Sequence, residues 1–264
     1  MKKTLILIPL FAYALLLSAC AGGPKPLRDV PEGKKKILLV ENFRNNSVDG
    51  KKWNPWSLGL ASMIQEDLLA VGYFKIVSAE ARVKALKEIA FTRSGLTQGE
   101  ALRIGKLLGA QWILVGDYTV VGENMNINIK VIDASSSRLL ASTRGEGGVK
   151  SFFKLAKNQS LNLMRKFRFD LNAQEIGILK RRVGTRNVTA SLENFSGEGL
   201  LEQIRFLELQ KKKPGANRSA IEARIERLRD EARRRFQYAV KEDPNYERAK
   251  NNLNKMALML PSSI

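Results

Sequence analysis

Apolar residues recur at different spacings along the first half of the chain, and each spacing predicts one kind of element. The run KILLV at residues 36–40 is typical of a buried strand. A helix is expected between Asn54 and Gly72, with Asn54 as its cap and Pro55 at its first position. The same reasoning predicts a strand at 74–77, a helix at 79–90 and a strand at 111–121. A further helix is expected before that last strand, because Thr97 and Glu100 form a capping box at its start and Gly109 ends it.

A strict alternation follows, in which apolar residues from Met125 to Val131 occupy every second position. The intervening positions are Asn124, Asn126, Asn128 and Lys130, so this strand should have one buried face and one wet face. The asparagine row is typical of a solvated face or a subunit contact, and sugar binding is the functional alternative. A return strand from Leu139 and an amphipathic helix over 149–168 complete the order β-α-β-α-α-β-β-β-α. Residues 35–170 are therefore predicted to form an α/β domain, a mixed sheet covered by helices.

Residues 171–264 are predicted to be helical, with segments near 171–182, 190–212 and 219–241 and a basic turn at 211–219. Within the last of these helices the order Ala232, Phe236, Ala239, Pro244 resembles the second helix of a tetratricopeptide repeat, and Tyr246 would open the next helix. The resemblance predicts one tetratricopeptide-like hairpin. Peptide binding and simple packing on the α/β domain both remain open.

The chain begins with Met and two lysines, followed by an apolar run of about 13 residues, which is too short to span a bilayer. Small residues then precede the single cysteine, as before the cleavage site of a signal peptide. The segment resembles the lipobox of bacterial lipoproteins, and the matching residues are Leu17, Ser18, Ala19 and Cys20. The resemblance implies removal of residues 1–19, diacylglycerol on the Cys20 sulfur and an acylated amino group. An ordinary signal peptide with a chance cysteine is the alternative.

Residues 20–34 are rich in Gly, Pro and charge, which predicts a flexible tether between the lipid and the domain. Ala21 follows the cysteine, where an aspartate would resemble the inner-membrane retention signal. We therefore expect a lipid anchor in the outer membrane, with the protein on its periplasmic face.

The amino-acid composition limits the kinds of functional site that the chain can form. The chain has no histidine and one cysteine, so a Cys/His metal cluster and a nucleophile paired with histidine are excluded, and no phosphate-binding glycine loop is present. No catalytic residue, metal or cofactor is predicted beyond the acyl chains. Asp117 and Glu123 are the only carboxylates near a strand end that are candidates for catalysis, and a solvated turn explains them equally well.

The net charge of +19 favours anionic lipid heads, an acidic polymer such as peptidoglycan, or an acidic protein as the binding partner. Nucleic acid is disfavoured because a signal peptide removes the chain from the cytoplasm.

Residues 34–170 as a whole resemble the periplasmic α/β domain that the curli secretion protein CsgG shares with the amino-terminal domain of TolB. Penicillin-binding-protein activator lipoproteins also use this domain. The most specific part of the match is IGKLLGAQWILVGDY at residues 104–118. The resemblance implies a binding and assembly module rather than an enzyme. The connections AFTRSGLTQ (90–98) and DASSS (133–137) are too short for the long hairpins of the curli pore.

The sequence therefore predicts a non-enzymatic lipoprotein that acts by protein contacts as an assembly or scaffolding component of an envelope or secretion system. The alternatives are an activator of a peptidoglycan synthase and a homo-oligomeric ring for curli-type or polysaccharide export. The candidate partner-contact residues are Trp53, Trp56, Phe236 and Tyr246. For the tryptophans, packing in the core is the competing interpretation.

Overall fold

The computed structural model describes residues 26–78, 81–82, 98–181 and 184–258. The predicted signal peptide, the lipidation site Cys20, most of the helix predicted at 79–90 and the Thr97 half of the capping box lie outside these residues.

The described residues form six strands and eight α-helices, with short 3-10 turns at Glu32–Lys34 and Val149–Ser151. The strands are β1 (Lys36–Val40), β2 (Arg44–Asn45), β3 (Phe74–Ile76), β4 (Trp112–Val121), β5 (Asn124–Asp133) and β6 (Leu139–Gly148). The helices are α1 (Gly50–Trp53), α2 (Pro55–Val71), α3 (Gln98–Leu107), α4 (Phe152–Lys166), α5 (Ala173–Arg181), α6 (Val188–Lys211), α7 (Arg218–Glu242) and α8 (Glu247–Leu258).

The strands form one mixed sheet in the order β3-β1-β4-β5-β6, with β2 beside β4. Strand β1 runs parallel to both β3 and β4, whereas β4, β5 and β6 form an antiparallel meander. The predicted α/β class, mixed sheet and helical carboxy-terminal region are confirmed. The two-residue strand β2 was not predicted, because Arg44 and Asn45 are polar and too few to show a period.

The main core lies on one face of the sheet, which helices α2 and α4 cover. Leu38, Val40, Tyr118 and Ile127 point into it from the strands. On the other face, helix α3 covers a smaller cluster built around Leu39, Ile104 and Ile113. The alternation predicted for β5 is confirmed, because Met125, Ile127, Ile129 and Val131 are buried while the asparagines face the side away from this core.

Helix α2 begins differently from the prediction. Asn54 has helical backbone angles and its side chain caps no backbone N–H, because the turn α1 runs directly into α2. The Asn54 Oδ1 instead accepts a hydrogen bond of 2.9 Å from Asn45 Nδ2. Pro55 does occupy the first helical position. The Asn54 cap was therefore wrong, and the start of the helix was right.

The segment that precedes β1 is attached to the domain. The Leu27 N–H donates to the Ala70 carbonyl at 2.7 Å, at the end of α2. Arg28 forms a two-pronged ion pair with Glu175 of α5, at 2.8 and 2.9 Å, and its hydrogen bonding holds the pKa of Glu175 below the ordinary value. Leu27 and Arg28 are therefore attached to the domain, and the flexible tether over residues 20–34 stays a prediction.

The carboxy-terminal helices pack on the α/β domain through helix α6. The ring of Phe195, on α6, contacts α2 at Gly59, where a β-carbon would overlap it. Helices α6 and α7 then form a long antiparallel hairpin, whose turn contains the predicted basic residues. The far half of this hairpin has its own apolar cluster, built from Ile204, Leu207 and Ile225. The domain boundary between residues 170 and 171 stays a prediction.

Candidate functional site: the groove beside helix α2

A groove runs between helix α2 on one side and helices α6 and α8 on the other. It encloses a cavity of about 750 Å³ and reaches from the carboxyl end of β1 to the start of α8. The side chains that matter for its chemistry are Leu69, Arg82, Glu202, Arg205, Tyr246 and Lys255. We call this feature the interhelical groove.

Arg82 lies at the end of the groove next to β1. Its Nη1 donates to the Val40 carbonyl at 3.3 Å and to Asn42 Oδ1 at 3.1 Å, and its Nη2 pairs with Glu202 of α6. The Arg82 residue is 8% exposed, and its Nε has no hydrogen-bond partner among the described residues. Strand β1 lies between β3 and β4, and ligands of open α/β sheets bind beyond strand ends at such a reversal of strand order.

Glu41 immediately follows β1 and adds a second unusual group there. Its carboxylate is 4% exposed, and Oε1 has no hydrogen-bond partner in the described part of the chain. Burial raises the pKa of Glu41 to about 7; the charge of Arg82 opposes this rise and that of Glu202 adds to it. A buried carboxyl group of this kind is charged or neutral depending on small changes near neutral pH.

Arg248 of α8 holds the middle of the groove together. Its guanidinium donates hydrogen bonds to both carboxylate oxygens of Glu198, at 2.6 and 2.8 Å, and to Glu66 of α2 at 2.5 Å. It also lies over the Phe195 ring, 5.3 Å from the ring centroid. Burial acts to raise the pKa of Glu198, but the charge and hydrogen bonds of Arg248 bring it below the ordinary value. Two-pronged arginine–carboxylate pairs fix geometry as well as charge, so this network sets the width of the groove.

The wall near α4 contains a buried ion pair between Asp67 and Lys157. Both residues are almost fully buried, and they tie the middle of α2 to α4. Because a buried charge is costly unless it is paired, this contact specifies how the two helices pack.

Two buried donors belong to residues that line the groove, and neither has a hydrogen-bond partner among the described residues. The Tyr246 residue is 0% exposed, and its hydroxyl has no hydrogen-bond partner among the described residues. The other is Arg82 Nε. Two exposed cations, Arg205 and Lys255, also line the groove, and no acidic side chain described here forms a salt bridge with either. The groove therefore offers donors and positive charge.

The four candidate partner-contact residues are all buried, since each is at most 6% exposed, and whether any of them meets a partner stays a prediction. Trp56 stacks on Phe152 with centroids 4.1 Å apart, and its Nε1 donates to Ser191 Oγ at 3.2 Å. Trp53 packs beside it, and Phe236 is buried against helix α6. Of the four, Tyr246 also lines the groove. Large aromatic side chains bury much apolar surface, which explains why these four lie in the interior.

The two carboxylates singled out from the sequence are not brought together. Asp117 accepts a hydrogen bond of 2.8 Å from Asn128, on the outer face of the sheet. Glu123 lies in an exposed turn, 3.8 Å from Lys150. No group of three or more His, Cys, Asp or Glu residues among those described could hold a metal ion. In the same part of the chain, no helix combines the length and apolarity needed to cross a membrane.

The residues of the groove were missed by sequence reasoning. Arg82 and Glu202 are 120 residues apart in the chain, and Arg248 and Glu66 are 182 apart. Charged helix positions are usually solvated, so no local signal separated these four from the many other charges of the helices.

The fold defines a mixed α/β sheet domain that carries a helical extension. No family model matches the chain, and no curated protein matches it. Solved structures do resemble it. The LpoB C-terminal domain from Salmonella enterica is 18% identical, with 44% of this chain and 84% of that chain covered, at a TM-score of 0.36.

Two further structures show the same level of likeness. Lipoprotein GNA1162 from Neisseria meningitidis is 15% identical, covering 42% of this chain and 78% of that chain at a TM-score of 0.33. TolB from Acinetobacter baumannii is 14% identical, covering 50% of this chain and 29% of that chain at a TM-score of 0.29. All three scores are below 0.5, so these likenesses carry no argument about function. The resemblances to CsgG and to a tetratricopeptide repeat stay predictions.

Proposed function

We propose that the protein is a non-enzymatic lipoprotein of the outer membrane, facing the periplasm, that holds an acidic, extended segment of a partner protein in the interhelical groove. It would thereby act as a scaffold in the assembly of the envelope. The observation that carries this proposal is a pair of buried donors on one groove, Arg82 Nε and Tyr246 Oη, which have no hydrogen-bond partner within the described part of the chain. Buried polar groups without partners are rare and costly, so a ligand that accepts from both would recover that energy.

The chemistry of the groove favours an acidic peptide. Backbone carbonyls and carboxylates are acceptors, and they complement donors such as Arg82 and Tyr246. Arg205 and Lys255 supply positive charge that the described acidic residues do not neutralise. Leu69 lines the same groove with 47% of its surface exposed, which provides an apolar contact for one side chain of the segment.

The short amino-terminal connection supports a partner near the anchoring membrane. Because Leu27 is attached to helix α2, a lipid on Cys20 would be separated from the domain by seven residues. Seven residues span at most about 25 Å when fully extended. This reach favours a partner at the outer membrane or in the peptidoglycan beneath it. Activation of a synthase in the inner membrane stays the alternative. It requires the synthase itself to extend across the rest of the distance between the two membranes.

Photo-crosslinking in intact cells tests the proposal. Leu69 is replaced by a photoreactive phenylalanine analogue, and the matched control is the same replacement at Leu139, which is 53% exposed on strand β6. We expect an adduct from position 69 alone, with mass spectrometry locating the crosslink in a partner segment rich in Asp and Glu. The adduct should be lost when Arg205→Glu and Lys255→Glu are added. A crosslinked segment that is basic, or an adduct unaffected by these charge reversals, would contradict the proposal.

A further inference from the structure

A second concave surface lies at the other end of the sheet, where strand β6 meets the end of helix α4. It encloses a cavity of about 750 Å³, separate from the interhelical groove. Its chemistry rests on five residues: Lys130, Arg144, Asn162, Arg165 and Lys166. We call it the basic edge pocket. Strand β6 is the last strand of the described sheet, so the pocket is open to solvent along its edge.

Positive charge dominates this pocket. Four cations line it, and the one carboxylate among its lining residues is Asp117, which accepts a hydrogen bond from Asn128. No acidic side chain in the described ranges forms a salt bridge with any of the four cations. Arg165 donates to Asn162 Oδ1 at 3.0 Å, so its guanidinium retains further N–H groups for a ligand. Like charges brought together without a counter-charge repel one another, and an anion removes that repulsion.

The four cations come from three different elements, strands β5 and β6 and helix α4. Lys130 pairs in register with Ser142, and Arg144 pairs with Asn128, so both basic side chains project from the outer face of neighbouring strands. Arg165 and Lys166 come from the last turn of α4, where the helix dipole also favours cations. The helix dipole accounts for the positions of Arg165 and Lys166. It does not account for Lys130 and Arg144, which lie on strands.

We propose that the basic edge pocket binds an acidic glycan, with a carboxylate or phosphate of the glycan among Lys130, Arg144 and Arg165. Asn128, Asn162 and Ser142 line the same pocket, and amides and hydroxyls both donate to and accept from sugar hydroxyls. A membrane surface would instead call for an exposed apolar rim beside the cations, and no apolar side chain lining this pocket is exposed. This site is independent of the interhelical groove and of the partner proposed there.

Binding to defined oligosaccharides tests the proposal with the full-length lipoprotein in uncharged, sugar-free detergent micelles. The probes are tetragalacturonate, the uncharged maltotetraose, and inorganic phosphate. We expect binding of tetragalacturonate, no measurable binding of maltotetraose, and loss of at least tenfold in affinity in the double variant Arg144→Gln, Arg165→Gln. The matched control is Arg224→Gln, Arg234→Gln on helix α7, which removes the same charge from exposed positions outside the pocket.

Three results would overturn the glycan assignment. Equal weakening in the Arg224 and Arg234 control would show that only net charge matters. Inorganic phosphate bound as tightly as tetragalacturonate would indicate a simple oxyanion site. Tighter binding to micelles doped with phosphatidylglycerol than to tetragalacturonate, lost in the Arg144 and Arg165 variant, would indicate that the pocket faces a membrane.

Discussion

The ring of Phe195 packs against the backbone of Gly59, with no room for a β-carbon between helices α6 and α2. A second contact of the same kind joins the next pair of helices, where Phe236 of α7 packs against Gly197 of α6. A β-carbon added at Gly197 would lie 2.5 Å from the Phe236 ring. Two aromatic rings over two glycines therefore join the carboxy-terminal helices to the α/β domain. This arrangement places α6 close enough to α2 to form one wall of the interhelical groove.

Helix α6 offers a matched pair of glycines with which to test this packing. Gly197→Ala should lower the free energy of unfolding by about 1–3 kcal/mol, because its methyl group would overlap Phe236. Gly199→Ala, two residues further along, meets nothing within 4 Å and should raise it by about 0.5–1 kcal/mol through helix propensity. Urea unfolding of both variants measures the difference. If the two variants shift the midpoint in the same direction, the close contact is not what holds the helix.

The sheet was largely predictable because its strands carry a local signal. The alternation from Asn124 to Val131 fixed which face of β5 is buried, and the apolar run before Asp117 identified the long strand β4. The start of α2 followed from Pro55, although Asn54 proved to be part of a continuous turn rather than a cap. Elements whose pattern spans five or more residues were found, and the two-residue strand β2 was not.

The interhelical groove and the basic edge pocket were not predictable in the same way. Arg248 bonds to Glu66 across 182 residues, and no period along the chain marks a charged residue as one that will be buried in such a contact. Trp53 and Trp56 left packing and partner contact both open in the sequence, because a tryptophan at a helix start is found in cores and on contact surfaces. Only the packing of distant segments distinguishes these outcomes.

The lipid anchor at Cys20 is tested by blocking the signal peptidase that acts on lipoproteins. Cells treated with globomycin should accumulate a precursor that retains residues 1–19, because cleavage before an alkylated cysteine depends on that enzyme. Immunoblotting of the full-length protein measures the shift in mass. Cys20→Ala supplies the control, since it removes the thiol that would be alkylated and should make any processing insensitive to the inhibitor. Normal maturation of the parent chain under globomycin would refute lipidation.

The buried ion pair between Asp67 and Lys157 should behave as a unit. Lys157→Met alone should destabilise the protein by about 3–5 kcal/mol, because it leaves the Asp67 carboxylate in the interior without its cation. The double variant Asp67→Leu, Lys157→Met should recover most of that loss, since it removes both charges. Urea unfolding of the single and double variants forms a thermodynamic cycle. Additive losses in the double variant would show that the two side chains are not coupled.

Glu41 predicts how stability depends on pH. Burial raises its pKa to about 7 in the folded protein from the ordinary value of 4.5, so between these values the folded chain holds a proton that the unfolded chain has released. The free energy of unfolding should therefore fall as the pH rises from about 4.5 to 7, by about 3 kcal/mol in total, since each pKa unit corresponds to about 1.4 kcal/mol.

Glu41→Gln should remove this loss, because an amide has no proton to release. The variant should match the parent at pH 4.5 and exceed it by about 3 kcal/mol at pH 8, measured by urea unfolding at both values. Glu123→Gln is the control, since it removes a carboxylate of the same kind from an exposed turn outside the groove. A Glu41→Gln protein that still loses stability between pH 5 and pH 7 to the same extent would place the titrating group elsewhere.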